Sequence, residues 1–296
     1  MTRPITFSAR ARAYYQLIKP GVMYGNVLTG VAGYLLAAGY FGRFDWIEFI
    51  ATIIGMTGVV SAACVLNNYL DQDIDQIMQR TKKRPSVTGV VSGPAMVAYS
   101  LVLLVVGTAI LATWTNWLVV AIGLIGFVTY VWLYGALSKR RSLHGTLVGS
   151  ISGAFPIAGG YAAVSGAVDP GLVIVFLILF FWQFPEFYSI SIYRRKEYAA
   201  AHIPVISVVR GVPRTVRWIL INTILYVVST LLLTPFGYTG WIYFVVMLVA
   251  GLYWIVIGYQ GLKAPDQEVW SRRMFKHSMY HILLLCVMLS VGPLLP

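Results

Sequence analysis

Apolar and polar positions fall along this chain in long blocks. Nine apolar runs, at about 20–40, 46–68, 93–112, 117–137, 145–165, 171–192, 216–234, 240–260 and 276–295, are separated by shorter polar stretches. A helix needs roughly 17 to 25 apolar residues to cross a bilayer. The pattern predicts an all-α membrane protein of about nine transmembrane helices, forming a single integral-membrane domain over residues 1–296. Two long polar loops follow the second and sixth runs, four spans apart, so the helices leading into them share a direction. That spacing suggests a pseudo-repeat of four-helix units, about 20–137 and 145–260, with a ninth helix at 276–295.

Composition agrees. The chain is 58% hydrophobic and 11% charged, with a mean hydropathy of +0.76, which excludes an ordinary soluble domain. The formal net charge of +12 would suit a nucleic-acid binder, but its distribution argues against one. Arg3, Arg10, Arg12 and Lys19 precede the first run. Arg80 to Arg84, Lys139 to Arg141, Arg194 to Arg217 and Lys263 to Lys276 follow the even-numbered runs. The other loops hold only Arg43. One side of an alternating topology therefore carries nearly all the Lys and Arg, and the positive-inside rule makes that side cytoplasmic. The expectation is a multi-pass protein of the plasma membrane, with its N-terminus inside, its C-terminus outside, the lipid bilayer as its solvent and no nucleic-acid partner. Cys64 and Cys286 sit in apolar runs and imply no disulfide framework. No short apolar core with a small-residue cleavage site is found near the N-terminus, so no removable signal peptide is expected.

Chemistry concentrates in NNYLDQDIDQIMQRTKKRP, residues 67–85. Asn67, Asp71 and Asp75 are four apart, so on a helix they form one slowly drifting stripe. Amide and carboxylate oxygens are hard ligands suited to Mg²⁺, which usually reaches a protein through one or two carboxylates while substrate phosphates fill other positions. Arg80, Lys82, Lys83 and Arg84 follow. A metal stripe and an anion-binding cluster together are what a diphosphate site needs. Asp73 lies two residues from each neighbouring acid and is expected to face the other way.

Other positions carry two readings each. Lys139, Arg140 and Arg141 serve as topology anchors or as diphosphate contacts opposite the metal. Glu186, beside Pro185, is an acid at membrane depth, and such residues are functional by default. Tyr193 and Glu197 are one turn apart. Glu197 suits a second metal ion, with Arg194 pairing with it or with phosphate. His277 and His281 share a helix face, where either iron contact or an interfacial polar pair is open.

These residues carry a resemblance. The Asn67/Asp71/Asp75 stripe is similar to the first signature of UbiA-type intramembrane prenyltransferases. The segments CVLNNYLDQDIDQIMQRTKKRP, SKRRSLHGTLVGSISGAFPIAGGY, WQFPEFYSISIYRRKEYAAAHIPV and PDQEVWSRRMF resemble, within that superfamily, the heme O synthases (protoheme IX farnesyltransferases). The likeness runs from KPGVMYGN at Lys19 to the ninth span. It implies nine helices around a central cavity, farnesyl diphosphate as donor and heme B (protoheme IX) as acceptor. It also implies Mg²⁺ held by acids of two cytoplasmic loops, and heme A synthase or terminal-oxidase assembly factors as partners. By position, Asn67, Asp71 and Asp75 would form the first metal–diphosphate motif, with Glu197 as the further metal ligand. Lys139, Arg140 and Arg194 would act with them. Arg80, Lys83, Arg84, Tyr193, Glu186 and His277 would be substrate contacts. Departures are local: Glu186 stands where such proteins commonly have His, Ile157 where they have a second Pro, and Glu197 where they have Asp. A prenyltransferase acting on a quinone-precursor aromatic would share the diphosphate site, and a non-enzymatic heme or lipid transporter would share the broken helices.

Overall fold

The structure, a computed structural model, describes residues 6–296; Arg3 lies outside them. The described residues form helices and loops only. In chain order these are α1 (Phe7–Leu17), α2 (Pro20–Phe41), α3 (Trp46–Leu70), α4 (Gln72–Ile77), α5 (Gly93–Trp114) and α6 (Trp117–Val128). There follow α7 (Lys139–Arg141), α8 (Gly145–Ser165), α9 (Pro170–Tyr193), α10 (Arg195–Ala200), α11 (Ile206–Val209), α12 (Val212–Leu231), α13 (Trp241–Gln260) and α14 (Gln267–Val291). A π-helical stretch, Thr129–Ser138, joins α6 to α7, so the fourth crossing runs unbroken to Arg141.

By length and apolarity, 8 helices among the described residues can cross a membrane. A ninth long helix, the 20-residue α12, falls short of that apolarity. It carries Arg214, Arg217 and a polar row of Asn222, Thr223, Ser229 and Thr230. Each of those four side chains bonds a carbonyl of the preceding turn, which satisfies it inside an apolar setting. α12 begins at Val212 rather than near residue 216, and α14 begins at Gln267 rather than near 276. Pro213 at the first turn of α12 and the Asp266 cap of α14 start these helices in polar sequence, ahead of the apolar run. The hydrophobic pattern also misses α1. That short helix buries Ala13 and Leu17 against Val65 and Met96, and leaves Arg10 and Arg12 exposed.

Close backbone approach sets the bundle. A Cβ on Gly160 of α8 would lie 1.8 Å from the Gly30 carbonyl oxygen of α2, so these helices touch backbone to backbone. The Gly-rich run 146–161 is thus used for packing, as small residues commonly are in membrane helices. α2, α8, α9 and α14 pack in a ring, and α3, α5 and α6 extend it. α1 and the C-terminus lie at opposite ends of the bundle. At the far end from α1, Ile242 N donates to the Pro296 oxygen, and Arg43 pairs with Glu48 at 2.5 Å.

Candidate active site at the polar end of the bundle

The Asn67/Asp71/Asp75 stripe ends α3 and enters α4. Asp71 N donates to Asn67 O at 3.0 Å and Asp75 N to Asp71 O at 2.8 Å, so the helical repeat passes through the junction although Asp71 (φ −92°, ψ 5°) separates two helices. Asp71 and Asp75 therefore turn inward, with side chains 1% and 4% exposed. Asp73 turns outward and its side chain is 66% exposed.

Each inward acid meets a cation from a different part of the chain. Lys139 Nζ donates to Asp71 Oδ2 at 2.6 Å. Arg84 Nη1 donates to Asp75 Oδ2 at 2.6 Å. Arg140 reaches within 3.9 Å of Asp71 but forks onto Asp73 at 2.6 and 2.7 Å. Asp73 thus faces outward, as its spacing predicts, and is paired there. Arg140 hydrogen-bonds it, which holds its carboxyl below the usual carboxylate range. The π-helical stretch delivers Lys139 and Arg140 and sets Tyr130 and Tyr134, whose rings lie 5.7 Å apart, beside the stripe. Such stretches recur at functional sites. Gly135 lets this helix approach: a Cβ there would lie 3.1 Å from Asn67 Nδ2.

Lys19 completes the site and was not singled out from sequence. Its ammonium donates to Asn67 Oδ1. Its backbone is left-handed (φ 50°), a conformation that costs a non-glycine residue about 1–2 kcal/mol. Burial pushes its pKa down to about 8, with Arg84 and Lys139 adding to that and Asp71 opposing it. A cation held in a strained backbone beside a carboxylate row makes Lys19 a candidate site residue. The only sequence signal was a lone Lys before Pro20 at the mouth of an apolar run.

The loop of the sixth run is built like that of the second. Arg194 (φ −109°, ψ 18°) separates α9 from the six-residue α10, as Asp71 separates α3 from the six-residue α4. The loops meet through Ile74 and Met78 on one side and Ala201 and Ile203 on the other. Arg194 pairs with Glu197 at 2.9 Å. Tyr198 lies between the loops. Burial raises its phenol above the ordinary value, while Arg80, Lys139 and Arg194 pull the other way.

The remaining predicted contacts separate. Arg80 and Lys83 are exposed at the loop surface, and only Arg84 of that cluster enters the stripe. Tyr193 is a platform for cations: the Arg272 and Arg194 guanidinium carbons lie 4.7 and 5.7 Å from its ring centre. His277 is not brought to the stripe. It sits edge-on to Tyr253 and Tyr280, both more than half exposed on the outer face of α13 and α14. His281, on the next turn, is buried and stacks on Trp254, so the two histidines do not act as a pair. Glu186, half-buried on α9, makes no hydrogen bond or ion pair among the described residues.

Whether Mg²⁺ fits can be judged from unpartnered oxygens. Asp71 Oδ1 and Glu197 Oε2 are buried without a hydrogen-bond partner. Among the described residues, however, no three His, Cys, Asp or Glu side chains stand close enough to hold an ion by themselves. That arrangement suits a metal that takes its other ligands from a bound diphosphate. Asp73 is expected to matter less than the inward acids. Asp73→Asn frees Arg140 without removing an inward oxygen, so turnover should fall about tenfold, the low end for losing a partner one step from the ligands. A steady-state assay against Asp71→Asn checks this; equal losses would contradict the inward–outward division.

The chain matches the UbiA prenyltransferase family over residues 26–280. It is 41% identical over 280 residues to the protoheme IX farnesyltransferase of Yersinia pseudotuberculosis, covering 95% of this chain and 94% of that one. The Photorhabdus laumondii protein of the same name is 39% identical over 285 residues, 96% of each chain. In fold it is similar to a digeranylgeranylglyceryl phosphate synthase (TM-score 0.80, 16% identity, 96% and 98% covered). It is also similar to a UbiA homolog from Archaeoglobus fulgidus bound to DMAPP and Mg²⁺ (TM-score 0.69, 12% identity, 94% and 98% covered). With the family match covering residues 26–280 and relatives 39–41% identical over about 95% of its length, the chain belongs to the UbiA prenyltransferase family, alongside the protoheme IX farnesyltransferases.

Proposed function

We propose that the protein transfers a farnesyl group from farnesyl diphosphate to a vinyl group of protoheme, with addition of water, giving a hydroxyethylfarnesyl heme and diphosphate. The observation that carries this is the inward pair Asp71 and Asp75, met by Lys139, Arg84 and, through Asn67, Lys19. In the absence of substrate these cations neutralise the acids. When a diphosphate enters, they turn to its oxygens. Asn67, Asp71 and Asp75, with Glu197 across the loop seam, would hold Mg²⁺. Bound there, the ion supplies positive charge at the leaving oxygens.

Breaking the carbon–oxygen bond leaves an allylic cation and an anionic leaving group. Lys139, Arg140 and Lys19 stabilise the charge that develops on diphosphate, and fixed cations in a water-poor site favour that state over the bound substrate. The ring faces of Tyr130 and Tyr134 stabilise the cation through their quadrupoles. The ring of α2, α8, α9 and α14 keeps out bulk water, which would quench it. The vinyl carbon of heme then attacks. A quinone-precursor acceptor would use the same diphosphate site; the 41% identity to a protoheme IX farnesyltransferase favours heme.

The protein is integral to a membrane. Its cationic end carries the site, so we place that end and the N-terminus in the cytoplasm and the C-terminus outside, in the plasma membrane. Heme A synthase and terminal-oxidase assembly factors are the partners this product would serve. The test is to incubate purified protein with farnesyl diphosphate, Mg²⁺ and either heme or 4-hydroxybenzoate. Heme heavier by one farnesyl plus one hydroxyl is expected; prenylated 4-hydroxybenzoate with unchanged heme would overturn the assignment.

A further inference from the structure

The reaction above consumes a water molecule among helices that must otherwise keep water out. Something must hold that one water and take its proton. Glu186 lies on α9, seven residues before its end at Tyr193, or about 10 Å into the bundle. Its direction follows from its neighbours. Trp182 Nε1 donates to Ser278 O of α14 at 3.0 Å, and Gln183 Nε2 donates to Ser150 O of α8 at 3.0 Å. Glu186 is four and three residues on from these, so it projects into the sector between α8 and α14. Its carboxylate has no hydrogen-bond or charge partner among the described residues. Ser150 Oγ, on the same α8–α9 seam, is buried and also unpartnered. An unpaired acid at this depth is costly, which argues for a use.

We propose that Glu186 binds the water that completes the product and acts as its general base. This rests on the farnesyl-transfer reading. The bonds balance without any oxidant or reductant. The bond between farnesyl C1 and the diphosphate oxygen breaks as C1 bonds to the terminal vinyl carbon. Electron deficiency moves to the vinyl carbon attached to the porphyrin. The water oxygen bonds there, and its proton passes to the Glu186 carboxylate and then to solvent as product leaves. Without the base, the same cation sheds a neighbouring proton and gives a diene one water lighter.

Glu186→Gln, Glu186→Asp and Glu186→His, assayed with farnesyl diphosphate, Mg²⁺ and heme in detergent, test this by two readouts: diphosphate release and the mass of the extracted heme. In Glu186→Gln, the ratio of hydrated to dehydrated product, measured per diphosphate released, is expected to fall about 10²-fold, the lower end of a positioned base's contribution. Glu186→Asp and Glu186→His, which keep a base, should retain mostly hydrated product. A wild-type product ratio in Glu186→Gln would overturn the proposal, as would parallel loss of diphosphate release in all three variants, which marks a packing role. If the wild-type protein itself neither releases diphosphate nor alters heme, the farnesyl-transfer reading has failed and this inference with it.

Discussion

Asp71→Asn is expected to lower farnesyl transfer by about 10³-fold, the upper end for losing one preorganised electrostatic contact. Asp71 is the most enclosed acid of the row, with one oxygen bound to Lys139 and the other 3.9 Å from Arg140 without a hydrogen bond. Amide substitution preserves shape while removing the charge that pairs with Lys139 and the oxygen offered to Mg²⁺. Breaking a buried pair from one side costs about 3–5 kcal/mol, so folding has to be followed separately. The double variant Asp71→Asn/Lys139→Met removes the orphaned ammonium. It should melt at or above the single variant's temperature and remain as inactive. Recovery of activity in the double variant would show that Asp71 serves only to neutralise Lys139.

Lys19→Met is the second large effect. It should reduce transfer by about 10²-fold, as loss of a single preorganised contact to developing charge does, and chiefly through weaker capture of the prenyl diphosphate. Thermal stability should change little, because relief of a charge that burial disfavours offsets the hydrogen bond lost at Asn67. Strain and desolvation kept at a site that works on anions fit the usual exchange of stability for activity. A parallel loss of melting temperature and activity would assign Lys19 a structural role.

How much of this was legible beforehand depends on the range of the interaction. The Asn67–Asp71–Asp75 stripe is local, and the helical repeat alone faces it one way. Long apolar runs located the membrane helices for the same reason. Helix starts were missed at Val212 and Gln267, where caps and a first-turn proline act in polar sequence ahead of the apolar pattern. Lys19 and Asn67 are 48 residues apart, and Arg140 and Asp73 are 67 apart. No periodicity reports such pairings, so neither the place of Lys19 at the row nor the Arg140 partner of Asp73 was legible. His277 and His281 show the converse error. Spacing placed them on one face, but Trp254 stacks on His281 alone, while His277 turns towards Tyr253 and Tyr280 at the outer face.

The central claim is that a diphosphate and a divalent ion meet at Asp71 and Asp75. An experimental structure with Mn²⁺ and a non-hydrolysable farnesyl thiodiphosphate tests it most directly. An anomalous peak about 2.1 Å from oxygens of both Asp71 or Asp75 and the diphosphate, close to octahedral Mg²⁺ geometry, is the predicted result, with Lys139 moved from Asp71 onto the diphosphate. A diphosphate bound elsewhere, with Lys139 still on Asp71 and no metal at the row, would contradict it.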